Sequence, residues 1–256
     1  MTGVDQSFEG RVVLITGGTR GIGRSIAKRF RDAGATVYVC GRREPEALDT
    51  GLHFRQADVT KADDVAALIA GIETDTGRLD VLVNNAGGSP EASAAEASPR
   101  FHEKIIQLNL VAPLHCAQAA HRLMAAGEGG SIINIASVSA VRSSPWTAAY
   151  GAAKAGLVNL TESLAMEWGP AIRVNAIIAG LIATEAAEDH YGGAEGIERV
   201  GDMLPLKRMG SPEDIADAAC YLASDQAAYV SGAALAVHGG GEVPVFIHLA
   251  RQGREK

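Results

Sequence analysis

Tyr150 and Lys154 stand four positions apart in a stretch with helical patterning, so their side chains project from one face. A cation beside a phenol favours the phenolate and lowers a pKa that otherwise lies near ~10. The pair predicts an acid/base group for neutral pH, giving a proton to a carbonyl oxygen or taking one from an alcohol. Alone, Tyr-x-x-x-Lys describes many solvated surface helices. Its place after a strand that ends in Ser137 reverses the odds, because the carboxyl end of a parallel strand opens into a ligand crevice. There the Ser137 hydroxyl can hold a substrate oxygen beside Tyr150. Ser139, two residues on, is an alternative, and either is also readable as a plain turn serine. Asn109 lies within the apolar run Ile105–Val111, where burial demands partners.

A second group of residues reads as a cradle for phosphate. Thr16-Gly17-Gly18-Thr19-Arg20-Gly21-Ile22-Gly23 follows an apolar strand and precedes helical Arg24–Ala33. Glycines there permit a tight turn and let backbone N–H groups at a helix start approach a pyrophosphate. A glycine motif by itself is weak; the strand before it and the helix after it favour a dinucleotide.

These residues need a scaffold, and the chain alternates strands with helices. Seven β-branched runs stand at Val12–Ile15, Val37–Val39, Leu52–Phe54, Val81–Val83, Ile132–Ile135, Val174–Ile178 and Ala234–Val237. Between them lie helical stretches near 22–33, 62–76, 100–126, 148–168 and 212–223. That rhythm predicts an α/β fold, a doubly wound Rossmann sheet of about seven parallel strands with helices on both faces. Ser211-Pro212-Glu213-Asp214 starts one helix with a capping hydroxyl, a proline and two acids, and Trp168-Gly169-Pro170 stops another. The stretch 183–209, with Gly192, Gly193, Gly196 and Gly201, reads as a loop and a substrate lid. No repeat or linker divides the chain, so residues 1–256 are expected to form a single domain, frayed only at the tail Arg251–Lys256.

The Thr-Gly-x-x-x-Gly-x-Gly spacing, together with Asn84-Asn85-Ala86-Gly87 and Tyr150-x-x-x-Lys154, resembles the classical short-chain dehydrogenase/reductase family, 3-oxoacyl-ACP reductases among its members. The resemblance runs from Gly10 to about Gly241. It implies a nicotinamide-dependent oxidoreductase with Asn109, Ser137, Tyr150 and Lys154 as catalytic tetrad. It further implies that Asn109 holds a water linking Lys154 to solvent, and that Lys154 grips the nicotinamide ribose. The implied cofactor contacts are Gly17, Thr19, Arg20, Gly21, Ile22, Gly23, Arg42, Asp58, Val59, Asn85, Ala86, Gly87, Tyr150, Lys154, Ile182 and Thr184. Asp58 takes the place near the adenine, with a helix cap as its alternative. One departure stands out: Ala179-Gly180 replaces the Pro-Gly common in the family, removing a stiffening ring before the lid.

Charge decides which nicotinamide cofactor is expected. A site selecting NAD places an acid at the end of the second strand for the ribose 2′-hydroxyl, but the chain reads Val39-Cys40-Gly41-Arg42-Arg43. Arg20 and Arg42 there suit a 2′-phosphate, so NADP(H) is favoured over NAD(H). Candidate substrate residues are Ser89, Arg142, Trp146, His190 and Tyr191, which flank the catalytic strand ends or lie in the lid. The substrate stays open among ketones, β-ketoacyl thioesters and secondary alcohols.

Composition narrows the rest. With 23 Lys and Arg against 30 Asp and Glu, net charge is −7, without the basic patch of a nucleic-acid binder. No apolar run approaches the ~20 residues that span a bilayer, and no targeting pattern opens the chain, so a cytoplasmic protein is expected. Three widely spaced cysteines and seven histidines show no metal-ligand spacing, so no metal is expected. A non-catalytic dinucleotide-binding regulator on the same fold is the alternative, and a sugar-nucleotide epimerase would need more chain for a substrate domain. The resemblance implies a homotetramer, its subunits paired through helices 100–126 and 148–168.

Overall fold

The seven apolar runs form one parallel sheet: β1 (Val12–Thr16), β2 (Thr36–Gly41), β3 (Leu52–Gln56), β4 (Val81–Asn84), β5 (Gly130–Ser137), β6 (Ile172–Ala179) and β7 (Ala234–Val237). The spatial order is β3-β2-β1-β4-β5-β6-β7, all pairs parallel. The computed structural model describes residues 7–185, 187, 191–244 and 246–247. His190 and the tail 251–256 lie outside the described residues.

Both faces of the sheet are covered, which is why its strands are apolar without alternation. Val13, Ile15, Val37, Val39, Ile133 and Ile177 face one layer, where they meet Ile26, Ala27 and Phe30 of α1 (Gly21–Asp32) and Ile215, Ala219 and Cys220 of α7 (Pro212–Ala223). Leu14, Tyr38, Leu82, Ile132 and Val174 face the other, against α2 (Ala62–Thr76), α4 (Ala112–Ala126) and α5 (Ala148–Trp168). The chain leaves β1 toward β3 and returns at β4 on the opposite side. The reversal opens a crevice at the carboxyl ends of β1 and β4, the binding place of such sheets. Asp80 fixes β1 beside β4 by accepting the Val12 N–H at 2.7 Å.

Two expectations from sequence need correction. The expected helix 100–126 is three pieces: α3 (Pro99–Ile106), a π-helical turn (Gln107–Val111) and α4. Pro113 supplies the reason, because it has no N–H for the carbonyl four residues back, that of Asn109, and its ring crowds that turn. The stretch 183–209 is also not all loop. Residues Gly193–Met203 form α6, and Ile182 makes a parallel bridge to Gly210. Gly196 and Gly201 disguise the helix by lowering its propensity. Both are buried, and a Cβ at Gly196 would run into the Tyr191 carbonyl.

Candidate active site

Four elements converge at the crevice. Thr16 ends β1, and its hydroxyl oxygen accepts the backbone N–H groups of both Asn85 and Ala86 at 3.0 Å. Asn85 returns the contact, its Nδ2 donating to the carbonyls of Thr16 at 2.9 Å and Gly17 at 3.2 Å. The glycine loop and the turn after β4 are thus one rigid unit. Gly17 sits at φ +65° and Gly21 at +51°, and a Cβ at Gly23 would collide with Asn85 Nδ2 and the Gly17 carbonyl. These are positions that only glycine satisfies. The first turn of α1 has no acid, and Arg20 is its N-cap without a side-chain cap bond, so backbone N–H groups face outward at the loop. A cradle that a Cβ would fill, at a helix start unopposed by acids, fits a pyrophosphate.

Ser137 closes β5 and Tyr150 lies in the first turn of α5. They share a hydrogen bond. Below them Lys154 is buried, 3% exposed, its Nζ donating to the Ile135 carbonyl at 2.7 Å and lying 5.7 Å from the centre of the Tyr150 ring. Burial lowers this lysine to about 8. Burial also raises the Tyr150 phenol above its ordinary value, against the opposing bond from Ser137. The expectation of a phenol pulled below its ordinary value is therefore corrected for this structure, where burial dominates. Desolvation penalises the phenolate directly, and the same desolvation weakens the ammonium that was to stabilise it.

Asn109, wholly buried, spends its side chain on backbone: Nδ2 donates to the carbonyls of Gly88 and Ile105, both at 2.9 Å, while Oδ1 accepts the Gly88 N–H at 2.9 Å. The amide pins the segment after β4, and Pro113 leaves the Asn109 carbonyl without its helical partner. Gly87 lies between Asn109 and Lys154; a Cβ there would stand 2.7 Å from Asn109 Oδ1 and 3.3 Å from Lys154 Nζ. The four residues read as a tetrad are thus gathered in one place, with Gly87 among them.

The remaining candidates are distributed around this centre. Arg20 and Arg42 are exposed at the outer edge of the glycine loop and of β2. Asp49, an acid in the segment after β2, is held by Arg24 through two bonds of 2.6 and 2.9 Å. Asp58 does not cap α2, whose N-cap is Lys61. Its Oδ1 instead accepts the Thr60 N–H and hydroxyl. Burial works against its charge, yet Thr60, Lys61 and Arg42 together hold the carboxyl below its ordinary value. Val59 is buried beside it. Thr19 and Ile22 are half-buried in the loop, and Ile182 packs on the core below α1. Thr184 reaches back over the glycine loop, its methyl 3.6 Å from where a Gly21 Cβ would stand. Ala179-Gly180 is accommodated by His238, which fills the space above Gly180.

At the open side, Ser89 donates to the Pro90 carbonyl and Trp146 is 63% exposed at φ +64°. Arg142 is not a lone cation: it pairs with Glu242 at 2.7 Å. Sequence reading missed Glu242 because nothing local marks it; its partner is 100 residues away. Among the described residues no cluster of metal-ligating side chains occurs and no helix is long and apolar enough to cross a membrane.

Comparison with known proteins agrees with this geometry. Residues 17–242 match the family model described as Enoyl-(Acyl carrier protein) reductase. The chain belongs to the short-chain dehydrogenase/reductase family. It is 36% identical over 247 residues to the 3alpha-hydroxysteroid dehydrogenase of Mediterraneibacter gnavus, covering 91% of this chain and 97% of that protein. It is likewise 36% identical over 241 residues to the 3-oxoacyl-[acyl-carrier-protein] reductase FabG of Chlamydia trachomatis, covering 90% and 96%. The ligand-free aldohexose dehydrogenase of Thermoplasma acidophilum superposes with a TM-score of 0.86 at 32% identity, over 91% of this chain and 94% of that one. As a short-chain dehydrogenase/reductase the chain is an oxidoreductase of alcohols and carbonyls that uses a nicotinamide cofactor.

Proposed function

We propose that this short-chain dehydrogenase/reductase uses NADP(H) and that Tyr150 exchanges the proton with the substrate oxygen. The observation that carries the reading is Lys154, a buried ammonium held on the Ile135 carbonyl beneath Tyr150. A buried charge of this kind costs stability, and such groups collect at functional sites. When bound, the nicotinamide supplies or accepts the hydride at the substrate carbon. Ser137 hydrogen-bonds the substrate oxygen and keeps it beside Tyr150. In reduction the phenol, kept protonated by burial, donates its proton to the developing alkoxide. In oxidation Tyr150 must first release that proton, and the Lys154 charge helps it do so. Asn109 is a positioning residue, fixing Gly88 by its side chain and offering its carbonyl for a water between Lys154 and solvent.

The cofactor is held by Gly17, Thr19, Gly21, Ile22 and Gly23 at the pyrophosphate, Asp58 and Val59 at the adenine, and Asn85, Ala86, Gly87, Ile182 and Thr184 around the nicotinamide half. Arg20 and Arg42 favour a 2′-phosphate, with Asp49 already occupied by Arg24. Residues 183–209 form a lid within a single catalytic domain, and Gly192 and Gly193 at φ +80° and +81° give it a hinge before α6. A homotetramer would cover Leu114 on α4 and Met166 on α5, 36% and 88% exposed. Leu157 and Leu164 of α5 are buried within the chain itself and are not available to a partner. Three buried free thiols suit the cytoplasm. The relatives' printed activities point to a steroid, a sugar or an acyl-carrier thioester as candidate substrates. A turnover screen of ketones, alcohols and acyl thioesters with NADPH, NADH and their oxidised forms tests the reading. NADPH-linked turnover is expected; NADH-only turnover would overturn the cofactor assignment.

A further inference from the structure

We infer that Trp146 is a specificity-determining residue, its indole a platform at the mouth of the site for a flat, fused ring system that carries the reacting carbonyl. The inference rests on the Tyr150 reading above and narrows its substrate class.

The backbone marks this residue first. Among the described residues only Trp146 and Lys207 hold a left-handed backbone without being glycine, at φ +64° and +56°. A Cβ makes that region unfavourable, and an outlier of this kind on a bulky residue points to a use for what it presents. Lys207 has a local reason, because its N–H and ammonium close the end of α6 on the Leu204 and Asp202 carbonyls. Trp146 has none of that kind. It is 63% exposed, and among the described residues no ring stacks on its indole.

The conformation is imposed from both sides. The Trp146 carbonyl accepts the Ala92 N–H at 2.8 Å, which fastens it to the segment after β4. On the other side the Thr147 N–H donates to the Ser144 carbonyl at 3.2 Å, and the two hydroxyls share a 2.7 Å bond. The Thr147 carbonyl accepts the Gly151 N–H at 3.0 Å, and a Cβ on Gly151 would stand 2.8 Å from the Ser144 Cβ. Gly151 follows Tyr150 in the first turn of α5, so indole and phenol belong to one rigid piece. Four residues apart, their Cα atoms would lie within about 14 Å even on an extended chain. A ketone whose carbonyl meets Tyr150 can lay the far ring of a fused skeleton on the indole, whereas a single small ring stops short. A linear chain of equal carbon count offers no face and loses its rotations on lying flat.

The test compares three ketones with NADPH. Cyclohexanone supplies the reacting ring alone, 2-tetralone fuses a second flat ring to it, and 2-decanone holds the same number of carbons as 2-tetralone in a line. Wild type is expected to favour 2-tetralone over each of the others by about tenfold in kcat/KM, the size of one aromatic contact with the area it buries. Glycine accepts the left-handed backbone, so Trp146→Gly should keep the wild-type Tm while the preference collapses through KM. Trp146→Phe keeps an aromatic face and should retain most of it. A second readout needs no turnover. Trp168→Phe removes the chain's other tryptophan, which packs against His121 at the far end of α5. In that variant 2-tetralone added to the NADP+ complex should quench Trp146 emission saturably. A Trp146→Gly protein of intact Tm with an unchanged preference, a preference that 2-decanone shares, or emission that ignores 2-tetralone overturns this inference alone. A screen with no turnover by either cofactor overturns the Tyr150 reading and this inference with it.

Discussion

Replacing Lys154 by methionine keeps a side chain of similar reach in its pocket and removes the ammonium. Burial depresses this lysine from 10.5 to about 8 in the fold, while the unfolded chain keeps the ordinary value. The difference corresponds to about 3 kcal/mol, at ~1.4 kcal/mol for each pH unit. Between pH 8 and 10.5 the unfolded chain binds a proton that the fold has released, so stability rises with pH across that window. Below pH 8 both states are protonated and the fold bears the full cost of a buried cation. Lys154→Met has nothing to titrate there. Urea denaturation of the cofactor-free proteins should therefore show wild type gaining about 3 kcal/mol on the variant from pH 7.5 to 10.5. At pH 7.5 the variant should be no less stable than wild type, because relief of the charge offsets the unpaired Ile135 carbonyl, a loss of about 1–3 kcal/mol. Turnover should fall all the same, since the charge that assists Tyr150 is gone. A stability difference that stays constant over the whole pH range would refute the reasoning, because it would mean that the fold does not penalise the ammonium.

Other outcomes follow from the same geometry. Tyr150→Phe keeps the ring's packing and loses the proton donor; kcat should drop by about 10²–10⁴-fold with NADPH affinity nearly unchanged, as steady-state kinetics and fluorescence titration would show. Because burial raises the Tyr150 phenol, alcohol oxidation by wild type should speed up as pH rises above neutrality, while a flat oxidative profile would contradict a tyrosine base. Arg42→Asp should reverse the cofactor preference toward NADH by removing a phosphate partner and adding repulsion, read by titrating both cofactors. Asp214 completes a capping box with Ser211 and pairs with Arg208, and that pairing lowers its carboxyl to about 2. Asp214→Ala should cost about 1 kcal/mol at pH 7. The cost should be fully present above about 3.8 and be lost as pH falls from there through about 2, checked by urea denaturation at neutral and acid pH.

Residue types alone determined much of this protein. Continuous β-branched runs, rather than alternating ones, marked strands buried on both faces, and helical stretches between them forced parallel crossovers. Tyr150 and Lys154 could be placed on one face because a helix repeats nearly every four residues, and Gly17 to Gly23 could be placed at a helix start because a strand precedes them. What failed locally failed for tertiary reasons. Gly196 lowers helix propensity, and only the approach of the Tyr191 carbonyl shows why glycine stands inside α6. The π turn at Asn109 went unread although Pro113 stands beside it, and its use became visible only when Gly88 was found bonded to the Asn109 amide. The sign of the Tyr150 shift depends on burial, which spacing does not report. Spacing put an ammonium near the phenol, and the fold took both out of water and reversed the expected direction. Glu242 is the extreme case, since no periodicity or motif links it to Arg142. Three left-handed glycines after an edge strand bring the two charges together, and only the folded chain pairs them.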